Sequence, residues 1–281
     1  MKNKKILCLS DSIFLTTGIS SQCLLLFNAL SEKYNYEIHH MSASYVGQNL
    51  PKGCVKLADG TPINFSLYGR GREEYCKDII IPKIQELKPD IFFVLLDTFM
   101  LYPWFTQLDC SPSKVVWQIP SDGGGGLPNG CEQVVQKVYY PVAVSKFAQK
   151  QMKDIHNLNT DYIPHCCDEK LFHPFSKEEK EALKIKYGLA GKYIVGLVGR
   201  NQGRKMHDRA IKAFAKWCKP HPEAVLLIHA DPYDNAAVFD MFTLIKNLNL
   251  QNRVFFTGMK YYQSFPYQQL PEIYNLMDVY L

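Results

Sequence analysis

Tyr193-Ile-Val-Gly-Leu-Val-Gly-Arg-Asn-Gln-Gly-Arg-Lys-Met-His-Asp-Arg209 is the stretch on which the reading of this chain turns. Its apolar opening predicts a buried strand that ends at Gly199. A glycine-containing loop follows, and a helix is expected from about Gly203. Arg204 and Lys205 would then stand in the first helical turn, where the macrodipole favours acids. A bound anion would cancel that conflict. Arg200 adds a cation at the carboxyl end of the strand, where open α/β sheets hold their ligands. The glycine spacing is not G-x-G-x-x-G, so a nicotinamide-linked oxidoreductase receives little support.

Outward from this stretch the pattern is strand, helix, strand. Downstream it predicts a helix over 204–219, a strand over 224–228, a helix over 236–248 and a strand over 253–256. A helix over 269–277 and the start of a strand at 279–281 close the chain. Upstream, a strand over 6–9 leads to a helix over 18–33, with Cys23, Leu26, Phe27 and Leu30 on one face. A strand over 37–41 follows, then a turn-rich region over 46–71 with two or three short strands around Val55 and Phe65. A helix is expected over 72–87, stopped by Pro89, and further strands over 91–95, 115–118, 141–144 and 162–163.

Near-continuous apolar strands joined by helical crossovers define an α/β protein with parallel sheets covered on both faces. The expected architecture is two Rossmann-like domains in tandem, 1–172 and 192–281. Residues 173–191 read as the linker, because Pro174 is followed by Lys177-Glu-Glu-Lys-Glu181. The chain stops inside an apolar pattern, so the second domain reads as incomplete and the chain as a fragment.

Composition sets the outer limits. A 47% hydrophobic content over 281 residues is ample for real cores and excludes a disordered chain. The balance of 32 Lys+Arg against 27 Asp+Glu, a net +5, is too mild to mark a nucleic-acid binder. The longest apolar run, Ile91-Phe-Phe-Val-Leu-Leu96, falls far short of the roughly 20 residues of a membrane helix. The apolar Ile6-Leu-Cys-Leu9 is stopped by Ser10-Asp11 and is too short for a signal-peptide core. The nine cysteines form no C-x-x-C pair and read as reduced thiols of a cytoplasmic chain. Adjacent Cys166 and Cys167 beside His165 are poor partners for one tetrahedral ion, so no metal site is expected.

Two further loops carry candidate chemistry. Ser10-Asp-Ser-Ile-Phe-Leu-Thr-Thr-Gly18 ends at the start of an amphipathic helix, where Gly18 would let a ligand approach the helix N-terminus. Val115-Val-Trp-Gln-Ile-Pro-Ser-Asp122 delivers a carboxylate to a strand's carboxyl end, ahead of the run Gly123-Gly-Gly-Gly126. Asp122 is the candidate catalytic residue; as a plain turn residue it would need no explanation.

Together these segments resemble the GT-B glycosyltransferases, in particular the retaining, family-4-like group. The most specific part of the likeness is Val198-Gly-Arg-Asn-Gln-Gly-Arg-Lys205 with Ala210-Ile-Lys-Ala-Phe-Ala215, which is similar to the family's strand–GRN..RK–helix–AF motif. Pro141-Val-Ala-Val-Ser145, Tyr162-Ile-Pro-His165 through Pro174, Val254-Phe-Phe-Thr-Gly258 and Ile273-Tyr-Asn-Leu-Met-Asp278 also fit. Cys166 stands where the family usually has glycine. The family's acidic segment, which contacts donor sugar and ribose, would follow Leu281.

The resemblance implies transfer of a sugar, with retention of configuration, from a UDP- or GDP-linked donor to a glycan, lipid or protein. It implies that Arg200 and Lys205 hold the donor pyrophosphate, that the backbone at Gly18 faces the same phosphates, and that the first domain, through the Asp122 loop, holds the acceptor. Those cations would replace a metal, no D-x-D motif being present, so neither metal nor cofactor is expected beyond the donor. Peripheral membrane contact stays open, as does a non-catalytic nucleotide- or glycan-binding module.

Overall fold

The computed structural model describes residues 3–15, 17–56, 60, 62–121, 123–260 and 269–281. Two compact units divide the chain, Met1–Cys167 and Asp168–Leu281.

In the first unit the order is β1 (Lys5–Ser10), α1 (Gly18–Tyr34), β2 (Glu37–Ser42), β3 (Ser66–Tyr68), α2 (Ile80–Leu87), β4 (Ile91–Leu95), α3 (Thr98–Leu101), β5 (Lys114–Ile119), α4 (Cys131–Gln136), β6 (Tyr140–Ala143), α5 (Lys146–His156) and β7 (Asp161–Tyr162). The strands form one parallel sheet in the order β3-β2-β1-β4-β5-β6-β7. This is the doubly wound arrangement, whose strand order reverses beside β1. Successive residues of a strand face opposite sides, and β1 shows the consequence. Leu7 and Leu9 join Met41, Phe92, Val94 and Trp117 in one core. Ile6 and Cys8 join Cys23, Phe27, Ile38 and Phe65 in the other. The Trp117 indole donates to the Leu96 carbonyl at 3.0 Å, so the largest buried ring carries no unpaired donor.

The second unit runs α6 (Lys177–Lys186), β8 (Tyr193–Val198), α7 (His207–Trp217), β9 (Ala224–His229), α8 (Met241–Asn247), β10 (Val254–Phe256), α9 (Leu270–Leu276) and β11 (Val279–Tyr280). Its parallel sheet has the order β10-β9-β8-β11, again reversing beside its first strand. Val195 and Leu197 pack with Ile211, Phe214, Leu226 and Ile228. Ile194 packs on the opposite face with Val225, Leu227, Ile273 and Met277. A Cβ at Gly196 would lie 1.9 Å from Met277 Sδ, so glycine is what lets the residue after α9 close over β8.

Four expectations need correction. The helix expected over 72–87 begins only at Ile80. Tyr75 and Cys76 adopt φ of 55° and 60°, and the Asp78 carboxylate accepts from the Arg72 and Glu73 amides, drawing that backbone into a turn. The helix expected over 236–248 begins at Met241, because Asp240 caps it by accepting from Phe242 and Thr243. Among the described residues of the turn-rich region 46–71 there is one short strand, β3, with bridges at Leu50–Leu67 and Lys56–Pro62. Residues 173–191, read as a linker, contain α6, opened by a Ser176–Glu179 capping box. Its Leu183 is buried in the core beside Ile194, and Lys184 pairs with Asp278 at 2.8 Å. The charged run that suggested a linker is the solvent face of a docked helix.

Candidate functional site

The register Val198↔His229 brings the loops after β8 and β9 side by side at the carboxyl edge of the second sheet. Gly203–Lys205 form a single 3-10 turn, Met206 turns left-handed at φ 52°, and α7 starts at His207. Arg204 and Lys205 therefore precede the helix instead of occupying its first turn. The expected conflict with the macrodipole does not arise; an acid, Asp208, stands in that turn.

Arg200 is held by a fork. Its Nε donates to Asp234 Oδ2 at 2.8 Å, and Nη2 donates to Asp234 Oδ1 and Asn235 Oδ1, both at 3.1 Å. The Asp234 side chain is fully buried and Oδ1 also accepts from the Ala236 amide at 2.8 Å, while the Arg200 side chain keeps 27% of its surface. Burial alone would raise the Asp234 carboxyl. The Arg200 and Ala236 hydrogen bonds and the guanidinium charge outweigh it and hold the group below its ordinary range.

Lys205 is exposed. Within the same stretch, at positions 201 and 207, stand buried polar groups with unsatisfied atoms. Asn201 and His207 are each 1% exposed; Asn201 Nδ2 has no hydrogen-bond partner among the described residues, and the His207 ring has none of ordinary geometry, with only the Gly199 backbone near enough to influence it. Such groups are uncommon in a folded interior. Burial first, and then the Lys205 charge, hold His207 below the usual imidazole range. Beside them His229 accepts from or donates to Thr257 at 2.8 Å and is held neutral by burial, to about 4.

In the first unit, Gly18 is the first residue of α1. A Cβ there would meet nothing within 4 Å, so packing does not demand glycine and the helix N-terminus is open to approach. Thr17 caps the helix by accepting from the Ser20 amide at 3.1 Å. Asp11 accepts from Thr17 at 3.4 Å and Ser44 at 3.1 Å. Burial raises its carboxyl despite those bonds. Asp122 lies outside the described residues; the strand ahead of it, β5, ends at Ile119.

The structure thus puts Arg200 and Lys205 on one loop and Gly18 at the matching loop of the other unit. It adds Asn201, His207 and Asp234, which sequence reasoning missed. Asp234 had a signal, the turn-forming run Asp231-Pro-Tyr-Asp234-Asn235 after a fully buried strand. His207 had none, since a histidine on an apolar helix face reads as core. Among the described residues no group of three or more His, Cys, Asp or Glu could hold a metal, and no helix is long and apolar enough to cross a membrane.

Two parallel doubly wound units of this topology are those of the GT-B glycosyltransferase fold. HepE from Anabaena, crystallised with UDP and glucose, superposes with a TM-score of 0.69 at 16% identity, over 99% of this chain and 73% of that one. A glycosyltransferase from Rickettsia africae gives 0.67 at 16% identity, over 100% and 73%. A trehalose-6-phosphate structure from E. coli, bound with UDP-2-fluoro glucose, gives 0.64 at 11%, over 99% and 77%. Residues 179–281, within the second unit, match the family Glycosyl transferases group 1. Mannosylfructose-phosphate synthase from Agrobacterium fabrum is 26% identical over 158 residues, 54% of this chain. That match spans about a third, 32%, of the relative's own length.

Proposed function

We propose that this chain belongs to a glycosyltransferase that moves a sugar from a UDP- or GDP-linked donor to a glycan, lipid or protein acceptor with retention of configuration. The observation that carries the reading is the loop after β8. It carries the exposed Lys205, the fork-held Arg200 and the buried Asn201, and leads into His207 at the start of α7, the last two with buried polar atoms that lack partners of ordinary geometry. An anion with several acceptor oxygens would take the donors among these, the two cations, Asn201 Nδ2–H and the one N–H of a neutral His207 ring, and a nucleotide diphosphate has that chemistry.

As the bond from anomeric carbon to diphosphate breaks, negative charge grows on the departing oxygen. Arg200 and Lys205 stabilise it in place, the task a metal ion performs elsewhere. The reaction then needs no metal and no cofactor beyond the donor. The open N-terminus of α1 at Gly18 supports a second contact to phosphate, and the Asp122 loop is assigned to the acceptor. The reduced thiols support a cytoplasmic protein, with peripheral membrane contact left to the acceptor's nature.

Calorimetric titration of the 281-residue chain with UDP, GDP and inorganic pyrophosphate tests the site. Saturable binding of a nucleotide diphosphate, undiminished by excess EDTA, is expected. Binding of none of the three, or binding abolished by EDTA and rescued by Mn²⁺, would overturn the reading.

A further inference from the structure

We infer that Asp234 is a positioning residue of the anion site, acting through Arg200 and touching no substrate itself. The inference rests on the donor-binding reading above and adds to it a residue on a different loop.

The pair is asymmetric in a way a surface ion pair is not. Asp234 is sealed, with no exposed side-chain surface, while Arg200 retains 27% of its own. One partner is fixed inside the fold and the other reaches outward from it. The carboxylate is fixed twice over, by the Ala236 amide at 2.8 Å and by a core strand, β9, five residues before it. Both of its oxygens engage the guanidinium, at 2.8 and 3.1 Å, and Asn235 adds a third contact at 3.1 Å. Two parallel neighbours, β8 and β9, therefore deliver the two halves of the pair in a register set by the sheet.

An arginine side chain left to itself samples many rotamers, and a ligand that needs one of them must bear the cost of ordering it. Here folding has already ordered it, because a two-point fork fixes the plane as well as the position of a guanidinium. The opposite effect is equally physical: the Asp234 charge offsets that of Arg200 and repels an anion. Pre-ordering and neutralisation predict changes of opposite sign when Asp234 is replaced, which makes the inference decidable.

The test is UDP and pyrophosphate titration of the full chain as wild type, D234N, R200A, R200K and the D234N/R200A pair, with a melting temperature for each. Asparagine keeps the shape but offers one acceptor where the carboxylate offers two. D234N is expected to weaken UDP binding about five- to tenfold, the scale of ordering one rotamer-rich side chain. It should have no effect in the R200A background, since a residue acting only through Arg200 has nothing left to act on. R200K keeps the charge without the fork and should bind less tightly than wild type by a similar factor. Unchanged or tighter binding by D234N, an equal loss in the R200A background, or wild-type affinity in R200K would each overturn the inference while leaving the donor site standing. Failure of the wild type to bind either ligand would remove both. Should D234N not fold, R200K decides: wild-type affinity overturns the inference, and a loss supports it.

Discussion

The loop after β1 and the loop after β8 occupy the same place in two sheets of the same handed construction, yet they are finished differently. In the first, the described polar side chains of the loop pair with one another, and the unpartnered atoms, His40 Nδ1 and Ser42 Oγ, lie on the neighbouring strand β2. Thr17 caps α1 and donates to Asp11, Ser44 donates to Asp11, and Ser10 pairs with His40 at 2.8 Å. Its charged residue is an acid, with its carboxyl raised. In the second, the charged residues are cations, and Asn201 and His207 are buried with polar atoms unpartnered. Both units leave some polar atoms unpartnered, but in the second they stand on and beside the stretch that carries the cations, where the proposed donor would bind. Topology offers two ligand positions, and the sign of the charge on each loop tells them apart.

The largest expected effect tests that distinction directly. Lys205→Ala should weaken UDP binding roughly 10- to 150-fold, the value of a charge-assisted contact of about 1.5–3 kcal/mol. Asp11→Asn, in the matching loop, should leave calorimetric affinity unchanged. Equal losses from both would erase the contrast between the loops.

His207→Phe comes next and separates affinity from stability. Replacing an unpaired buried polar group with an apolar one of similar shape is neutral or stabilising. The melting temperature should therefore hold or rise while UDP affinity falls about tenfold, as for loss of one hydrogen bond to an ionised group. A drop in melting temperature with no change in affinity would make His207 a core residue and nothing more.

A smaller effect concerns acid. Burial holds His40 to about 3 in the first unit and His229 to about 4 in the second. Unfolded histidine titrates near 6.5. Between those values the unfolded chain binds more protons than the folded one, so stability falls as pH drops from about 6.5 toward 4. Each unit carries such groups, His40 and His165 in the first and His229 and His207 in the second, so thermal melts between pH 7 and pH 4.5 should show both units losing stability. His40→Gln should flatten the dependence for the first unit alone.

The smallest is Gly18→Ala. Nothing crowds a Cβ there, and alanine is the better helix former, so stability should rise by up to about 1 kcal/mol. A loss of UDP affinity alongside that gain, of even two- to threefold by calorimetry, would connect the first loop to the donor. No loss would confine phosphate binding to the second unit.

Much of this protein was legible before any coordinate. The strand over 193–198 has the boundaries its apolar run implies, and the α/β class follows from runs too continuous for any other sheet. Periodicity reports burial, and burial of strands and helices is what sets a fold class. Helix starts were less legible. Residues 204–206 and 236–240 look helical by composition, but Met206 turns left-handed and Asp240 takes the cap. Those choices are made by local hydrogen bonds that a hydrophobic pattern does not register.

The sequence by itself determined that Arg200 and Lys205 stand together at the end of a buried strand, because adjacency along the chain becomes adjacency in space across one short loop. Only the tertiary structure decided that Asp234, 34 residues further on, grips Arg200. The same holds for the burial of His207 and Asn201 without partners. Which side chains meet across neighbouring strands depends on sheet order and register, and a polar atom is known to be unsatisfied only when everything around it has been placed.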